Sequence, residues 1–310
     1  MRILVTSTSF QDTPGRHHDL LKSKNMEIDF RRGPLSEAEL KQLSWNYDGV
    51  IMGDDDYTRN IQVLAKAGGL KILSKYGVGL DKVDLQAAKE LGIEVRNCPG
   101  LNHVTVCEHV FAMLLSFNKN IPKEIEHTKK GEWQRITGRE ISGKNLAIIG
   151  LGKIGKEVAR VAKCFNMNIY AYDKFMDQEF VTANNITVIK DLSKDLMEID
   201  IITLHCNLDD SSKSLISQDI LFKGTKKEVV LINTARAHLV DREALKAALD
   251  KKLIAAYLAD VWFEEPMNPN DPLKNYDNVM ITPHIASRTF DNVEKQGIKA
   301  IENLCVCLGV

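Results

Sequence analysis

Residues 146–173 read LAIIGLGKIGKEVARVAKCFNMNIYAYD. The apolar run Leu146–Ile149 leads straight into Gly150-Leu-Gly152-Lys-Ile-Gly155, a helical pattern follows, and a second apolar run stops on Asp173. Strand, glycine turn, helix and strand in this order form one βαβ unit. The three glycines do different things. Gly150 permits the sharp turn, Gly152 lets the backbone approach a diphosphate, and Gly155 lets the helix pack on the strand. The diphosphate then rests on the positive end of the helix and on the free N–H groups of its first residues, Lys153 and Ile154. Asp173 closes the second strand 18 positions beyond Gly155, where a carboxylate accepts bonds from both ribose hydroxyls. A 2′-phosphate is repelled there, so the stretch predicts NAD rather than NADP, with Lys174 next door able to soften the preference. A bare glycine pattern also occurs in ordinary turns; the terminal acid and both flanking strands carry the cofactor reading.

The alternation continues on both sides. Strand-length apolar segments RILVTS, MEIDF, GVIMG, KILSK and IEVRN precede the glycine stretch, separated by the helix-like segments DLLKSK, LSEAELKQL and NIQVLAKAG. After NLAIIG and NIYAYD come ITVIK, IITLH, VVLIN, IAAYLAD and VMITP, then a helical tail from Asp291 to Leu308. Strands alternating with helices indicate parallel α/β layers. Between the two series, NHVTVCEHVFAMLLSFNKNI is apolar around much of its circumference and predicts a buried or interface helix. No flexible linker or internal repeat separates the halves.

The chain has 310 residues, enough for two domains. Its net charge of −1 and lack of a long basic run argue against nucleic-acid or membrane-surface binding. No stretch reaches the roughly 18–20 apolar residues of a membrane span. MRILVTSTSF reads as a first strand rather than a signal peptide. The six cysteines lack metal-ligand or disulfide-framework spacing, which suggests a reducing, cytoplasmic setting.

Four further segments, taken with the glycine stretch, resemble the D-isomer-specific 2-hydroxyacid dehydrogenases, the family of phosphoglycerate dehydrogenases and glyoxylate/hydroxypyruvate reductases. They are KYGVGLDKVDL (75–85), NCPGLNHVTVCEH (97–109), LINTARAHLVDREAL (231–245) and DVWFEEP (260–266), the last followed by ITPHIA (281–286). The resemblance implies an α/β fold of two doubly wound parallel-sheet domains. One is a flavodoxin-like substrate domain, residues 1–98 and 286–310; the other is an inserted Rossmann NAD-binding domain, residues 99–285. It also implies a homodimer held largely through the NAD domains, and hydride transfer between nicotinamide and a small D-2-hydroxy or 2-keto acid.

Such a reduction needs a carboxylate anchor, a proton donor to the emerging alkoxide and a dry site. Arg236 follows the apolar strand VVLIN at its C-terminal end, the edge where open α/β sheets bind ligands. Its planar fork suits a substrate carboxylate and polarises the keto oxygen; a surface arginine at a strand end is the alternative. His284, after Pro283 and the strand VMIT, is the candidate proton shuttle, because its ordinary pKa lies near working pH. Glu265 matches the family's acidic partner, which orients the imidazole and favours its protonated form, and adjacent Glu264 should point elsewhere. Asp260 resembles the position that binds the nicotinamide amide, with capping as the alternative. Lys75 and the backbone of Val78 and Gly79 form a candidate substrate-carboxylate nest; the same glycines also suit a strand-to-helix turn capped by Asp81. Of the remaining histidines, His205 draws most interest because it ends IITLH.

Some positions depart from the family pattern. Ala237 stands where the family usually has Gly, and Asn207 and Asp209 where many relatives have Pro and Thr. GDDDYT (53–58) places Asp54, Asp55 and Asp56 near the position where phosphoglycerate-using relatives carry a phosphate-binding Arg. Their charge argues for an unphosphorylated substrate, with Arg16 or Arg59 as possible compensation. The length leaves no room for the extra regulatory domain of some phosphoglycerate dehydrogenases. Two alternatives remain: an NAD-binding regulatory protein like the C-terminal-binding-protein corepressors, and a relative that oxidises formate or phosphite. The formate enzymes carry Gln in place of the acidic partner, which Glu265 disfavours.

Overall fold

The computed structural model of the chain describes residues 1–43, 45–58, 60, 64 and 69–310. Arg59 and most of the segment NIQVLAKAG lie outside them. The described residues divide into two compact units, Met1–Asn102 with Ser287–Val310, and His103–Ala286.

The first unit holds a five-stranded parallel sheet in the order β2-β1-β3-β4-β5. Its strands are β1 (Arg2–Val5), β2 (Glu27–Phe30), β3 (Gly49–Met52), β4 (Ile72–Lys75) and β5 (Glu94–Arg96). Strands β3 and β4 are buried along their whole length, as expected where both sheet faces are covered. On one face Leu4, Val50, Met52 and Leu73 pack with Trp45 and Tyr57. On the other, Ile3, Val5, Ile51 and Ile72 meet Phe10 and three residues of the C-terminal helix, Ala300, Ile301 and Leu304. Each such aliphatic side chain contributes about 1.5–3 kcal/mol by leaving water. The chain therefore returns to its first unit because its tail is the covering layer of that sheet.

The second unit is a seven-stranded parallel sheet in the order β12-β11-β10-β9-β6-β7-β8. The strands are β6 (Asn145–Ile149), β7 (Asn168–Tyr172), β8 (Thr187–Val188), β9 (Ile201–Leu204), β10 (Val229–Asn233), β11 (Ile254–Ala259) and β12 (Val279–Ile281). The chain runs outward from β6 to β8, then crosses back and runs outward on the other side from β9 to β12. The reversal falls between β6 and β9. Loops leaving the two strands there part in opposite directions and leave a crevice at the sheet's C-terminal edge. Helices α5 (His103–Asn118) and α7 (Lys153–Cys164) cover one face, where Val110, Phe111 and Leu114 join Val158, Ala159 and Ala162. Helix α9 (Arg242–Asp250) covers the other with Leu245, Ala248 and Leu249.

Among the described residues all twelve strands coincide with segments expected from the alternation, and α5 is the long apolar helix. Helix α6 (Ile121–Lys129) and the short helices α1 (Thr8–Asp12) and α8 (Gln178–Ala183) were not expected. The turn after Gly79 is capped differently from expectation. Helix α4 (Leu85–Glu90) begins at Asp84, whose side chain accepts the Ala87 N–H at 2.9 Å. Asp81 lies too far upstream to reach that first turn.

Candidate active site

The glycine turn sits at the reversal point. Gly150 has φ +100°, and a Cβ there would lie 2.5 Å from the Cys206 nitrogen. A Cβ on Gly155 would overlap the Gly150 carbonyl oxygen. These two glycines are required by the fold itself. Gly152 differs: nothing lies within 4 Å of its Cβ position, and it opens α7 without a side-chain cap. The first N–H groups of α7 therefore face open space at the positive end of the helix. This is the cradle a dinucleotide diphosphate needs, and a side chain at 152 would fill it. Asp173, directly after β7, is half-buried and fixed by the Leu151 N–H on Oδ2 at 2.6 Å and the Phe175 N–H on Oδ1 at 2.8 Å. A carboxylate accepts about four bonds, which leaves capacity for ribose hydroxyls.

Arg236, Glu265 and His284 follow β10, β11 and β12, three adjacent strands whose C-terminal ends share the edge with the glycine turn. Glu265 Oε2 lies 2.9 Å from His284 Nδ1, while its Oε1 accepts the Trp262 N–H at 2.8 Å. Trp262 is itself held by its indole N–H on Asp271, at 2.8 Å. Glu264 is exposed. The Arg236 guanidinium donates to the Ala235 carbonyl at 2.8 Å.

Two buried side chains shape these loops, and one of them was not read from the sequence. Asn233 accepts the Ala235 N–H at 3.1 Å and donates to the Arg236 carbonyl at 2.9 Å, closing the turn that carries the guanidinium. Asp260 is 1% exposed. It accepts the Thr282 hydroxyl at 2.6 Å and the N–H groups of Ile285 and Ala286 at 2.8 and 2.7 Å. His284 sits between these anchors at φ +54°, a left-handed conformation that costs a non-glycine residue of order 1–3 kcal/mol. The three bonds to Asp260 hold it there. His109, on α5, joins the group through Thr282 Oγ1 at 2.9 Å. The signal for Asn233 was its place three residues before Arg236; His109 offered none, since its partners lie about 150–170 residues away.

Ala237 begins a single 3-10 turn, Ala237–Leu239, with its methyl group buried and no positive φ. Glycine's freedom is therefore not needed there. His205 packs its backbone against Gly150, and its Nε2 lies 2.9 Å from Thr203 Oγ1. Burial of the ring pushes its pKa down to about 3.

The other candidate residues belong to the first unit. Lys75 ends β4 with its ammonium on the Gly53 carbonyl and 2.8 Å from Asp54 Oδ1. Gly77 has φ +133°, and the Val78 carbonyl accepts the Asn97 side chain at 2.6 Å; Val78 and Gly79 are partly exposed. The three aspartates do not form one acidic patch. Asp55 is fully buried, accepting the Leu35 N–H at 2.7 Å and the Thr6 hydroxyl. Asp56 caps Thr58 at 2.9 Å, and Asp54 pairs with Lys75. Arg16 is engaged by Glu294 at 2.7 Å.

A doubly wound parallel sheet with a glycine turn at its reversal point, an acid after the next strand and an open helix start defines a dinucleotide-binding protein. The NAD-binding domain of the D-isomer specific 2-hydroxyacid dehydrogenases matches residues 111–286. A hydroxypyruvate reductase of Thermotoga maritima is 35% identical over 94% of this chain and 94% of its own length. The D-3-phosphoglycerate dehydrogenase of Archaeoglobus fulgidus is 34% identical over 87% of this chain but only 51% of its own length. The chain thus spans about half the length of the phosphoglycerate dehydrogenases it matches. The D-lactate dehydrogenase of Aquifex aeolicus, solved with NAD and lactic acid, superposes with a TM-score of 0.83 at 27% identity, covering 99% of this chain and 96% of that one. The chain belongs to the D-isomer specific 2-hydroxyacid dehydrogenase family and carries its NAD-binding domain.

Two outcomes follow from this geometry. Gly152→Val should fold with a melting temperature close to that of the parent and lose NADH binding, measured by fluorescence titration. Gly155→Val should instead lower the melting temperature sharply, because its side chain collides with backbone. The second outcome concerns acid. His205 stays neutral in the fold down to about pH 3 but titrates near 6.5 once unfolded. Between these values the unfolded chain binds the extra proton, so stability falls as pH drops from about 6.5 toward 3. The loss from this one group is on the order of 2 kcal/mol at pH 5. Urea melts at pH 7 and 5 should show a smaller pH-dependent loss for His205→Gln than for the parent; equal losses would remove His205 from the acid response.

Proposed function

We propose that this protein is an NAD-dependent oxidoreductase that interconverts a small D-2-hydroxy acid and its 2-keto acid. The observation carrying this is the 2.9 Å Glu265–His284 pair on the same sheet edge as Arg236 and the glycine turn. In the reductive direction Arg236 grips the substrate carboxylate and polarises the keto oxygen. NADH held at the start of α7 and on Asp173 would supply the hydride that the keto carbon takes up. His284, held protonated by the Glu265 carboxylate, gives its Nε2 proton to the developing alkoxide and ends neutral; Asp260 and Asn233 keep the two loops in place. In the first unit, the backbone at Val78 and Gly79 beside Lys75 is a candidate anion nest, its lysine paired with Asp54. An intact Arg, Glu and His set is what a catalyst needs and a regulatory NAD sensor does not.

The relatives act on different acids, as their names show: hydroxypyruvate, 3-phosphoglycerate and lactate. The substrate we favour is unphosphorylated, since Arg16 is committed to Glu294 and Lys75 to Asp54. The 3-phosphoglycerate relatives keep phosphohydroxypyruvate in the test set. Six free cysteines fit a reducing cytoplasm. Ile121, Ile125, Ile136 and Trp133, the last 80% exposed, cluster on one segment of the NAD-binding unit. Such an apolar surface marks a protein interface, and we assign it to a second copy of this chain.

Adding glyoxylate, hydroxypyruvate, pyruvate or phosphohydroxypyruvate to enzyme and NADH should quench NADH fluorescence with at least one of them. NADH binding without turnover on any 2-keto acid would favour the regulatory alternative. Arg236→Ala should cost at least about 3 kcal/mol in kcat/KM, the scale of a lost oxyanion donor, and near-normal turnover would take Arg236 out of the mechanism. Light scattering should give the mass of a dimer, with Trp133→Asp shifting it toward monomer; a monomeric parent protein would refute the assignment of that surface.

A further inference from the structure

Two loops flank the strand that carries the glycine turn. One leaves β7 through Asp173 and Lys174; the other leaves β9 through residues 205–212, and its start lies against Gly150. They are tied together across the end of β6. The Lys174 ammonium donates to Ser211 Oγ and lies 3.5 Å from Asp209 Oδ1.

The two partners are not equally free. Asp209 Oδ1 accepts the N–H groups of Ser211 and Ser212 at 2.8 and 3.0 Å and also the Ser211 hydroxyl. These bonds, with that to the hydroxyl dominant, hold its pKa down to about 2. The carboxylate is thus a fixed negative charge, pinned by its own turn, whereas Lys174 ends a flexible stem. An exposed ion pair of this kind contributes little to stability. Its importance lies in where the lysine is held. Lys174 directly follows the acid that faces the ribose hydroxyls, so its ammonium is the natural counter-charge for a phosphate on the 2′ oxygen. Asp209 neutralises that charge and turns it toward the opposite loop, while adding a second carboxylate to the ribose edge.

We infer that Asp209 is a second determinant of cofactor selectivity: by holding Lys174 across the end of β6, it withholds from NADP the cation that would accept its 2′-phosphate. The inference rests on the assignment of Asp173 to the ribose. NAD selectivity in this chain then has two parts, repulsion by Asp173 and sequestration of Lys174 by Asp209.

Dissociation constants for NADH and NADPH, measured by fluorescence titration at low ionic strength, test it without any substrate. Asp209→Asn keeps the turn's acceptor and removes the charge. It should shift the NADPH-to-NADH affinity ratio toward NADPH by about tenfold, and adding Lys174→Ala to it should erase the gain. An unchanged ratio in Asp209→Asn would overturn the proposal, as would a gain that survives loss of Lys174. Asp173→Ser separates the two levels. If it weakens NADH while Asp209→Asn changes nothing, only the role of Asp209 fails. If Asp173→Ser leaves NADH affinity intact, the ribose assignment fails and takes the inference with it.

Discussion

A helix can begin over the end of β6 only because two backbones touch there with no side chain between them. Gly155 on α7 meets the carbonyl of Gly150, and Gly150 in turn presses on the backbone at Cys206. That three-way approach binds strand, helix and the loop after β9 into one corner. Parallel strands put all their C-terminal ends on the same side, so the corner fixes where every later loop emerges relative to the start of α7. The chemistry proposed for Arg236, Glu265 and His284 depends on this: their loops share an edge with the glycine turn because the strands that carry them are parallel.

Placement on an edge is not enough for catalysis, which needs groups held within a few tenths of an ångström. Here buried side chains clamp backbone. Asn233 closes the Arg236 turn, Asp260 ties down Ile285 and Ala286, and the Trp262 N–H fixes one oxygen of Glu265 so that the other meets His284. Each clamp spends charge or amide capacity inside the protein where water cannot compete. The left-handed backbone of His284 shows the result: a conformation unfavourable in isolation persists because Asp260 holds the following residues.

The legible part of this protein was the part encoded by near neighbours. Strands buried on both faces read as unbroken apolar runs, and the glycine turn announces itself within six residues, so the sheets and the cofactor corner could be found. Functions set by distant partners could not. Asp55 looked like one of three exposed acids, but Thr6, 49 residues away, draws it into the core. Asp260 resembled an amide ligand, and its three bonds to residues 282–286 are invisible until β11 and β12 pair. Helix α6 buries no residue against a core, and its two isoleucines, Ile121 and Ile125, stay exposed, so only a two-residue apolar pattern marks it. Asp84 rather than Asp81 caps α4 because the chain needs three more residues to leave the turn after Gly79.

The same dependence on partners changes how charge should be counted around the site. Two lysines stand next to residues with binding assignments, Lys75 before the Gly77–Gly79 turn and Lys174 after Asp173. Each is engaged by an aspartate, Asp54 and Asp209 respectively. A lysine whose ammonium already has a carboxylate at hand must give up that pairing before it serves an incoming anion, and the aspartate left behind opposes the same anion. The forked guanidinium of Arg236 and the backbone N–H groups at the start of α7 bind anions by a different route. Those donors are directional and suit a planar carboxylate or a diphosphate held along a helix axis. An additional phosphate on the ribose would meet Lys174 already engaged by Asp209, and one near the Gly77–Gly79 turn would meet Lys75 already engaged by Asp54.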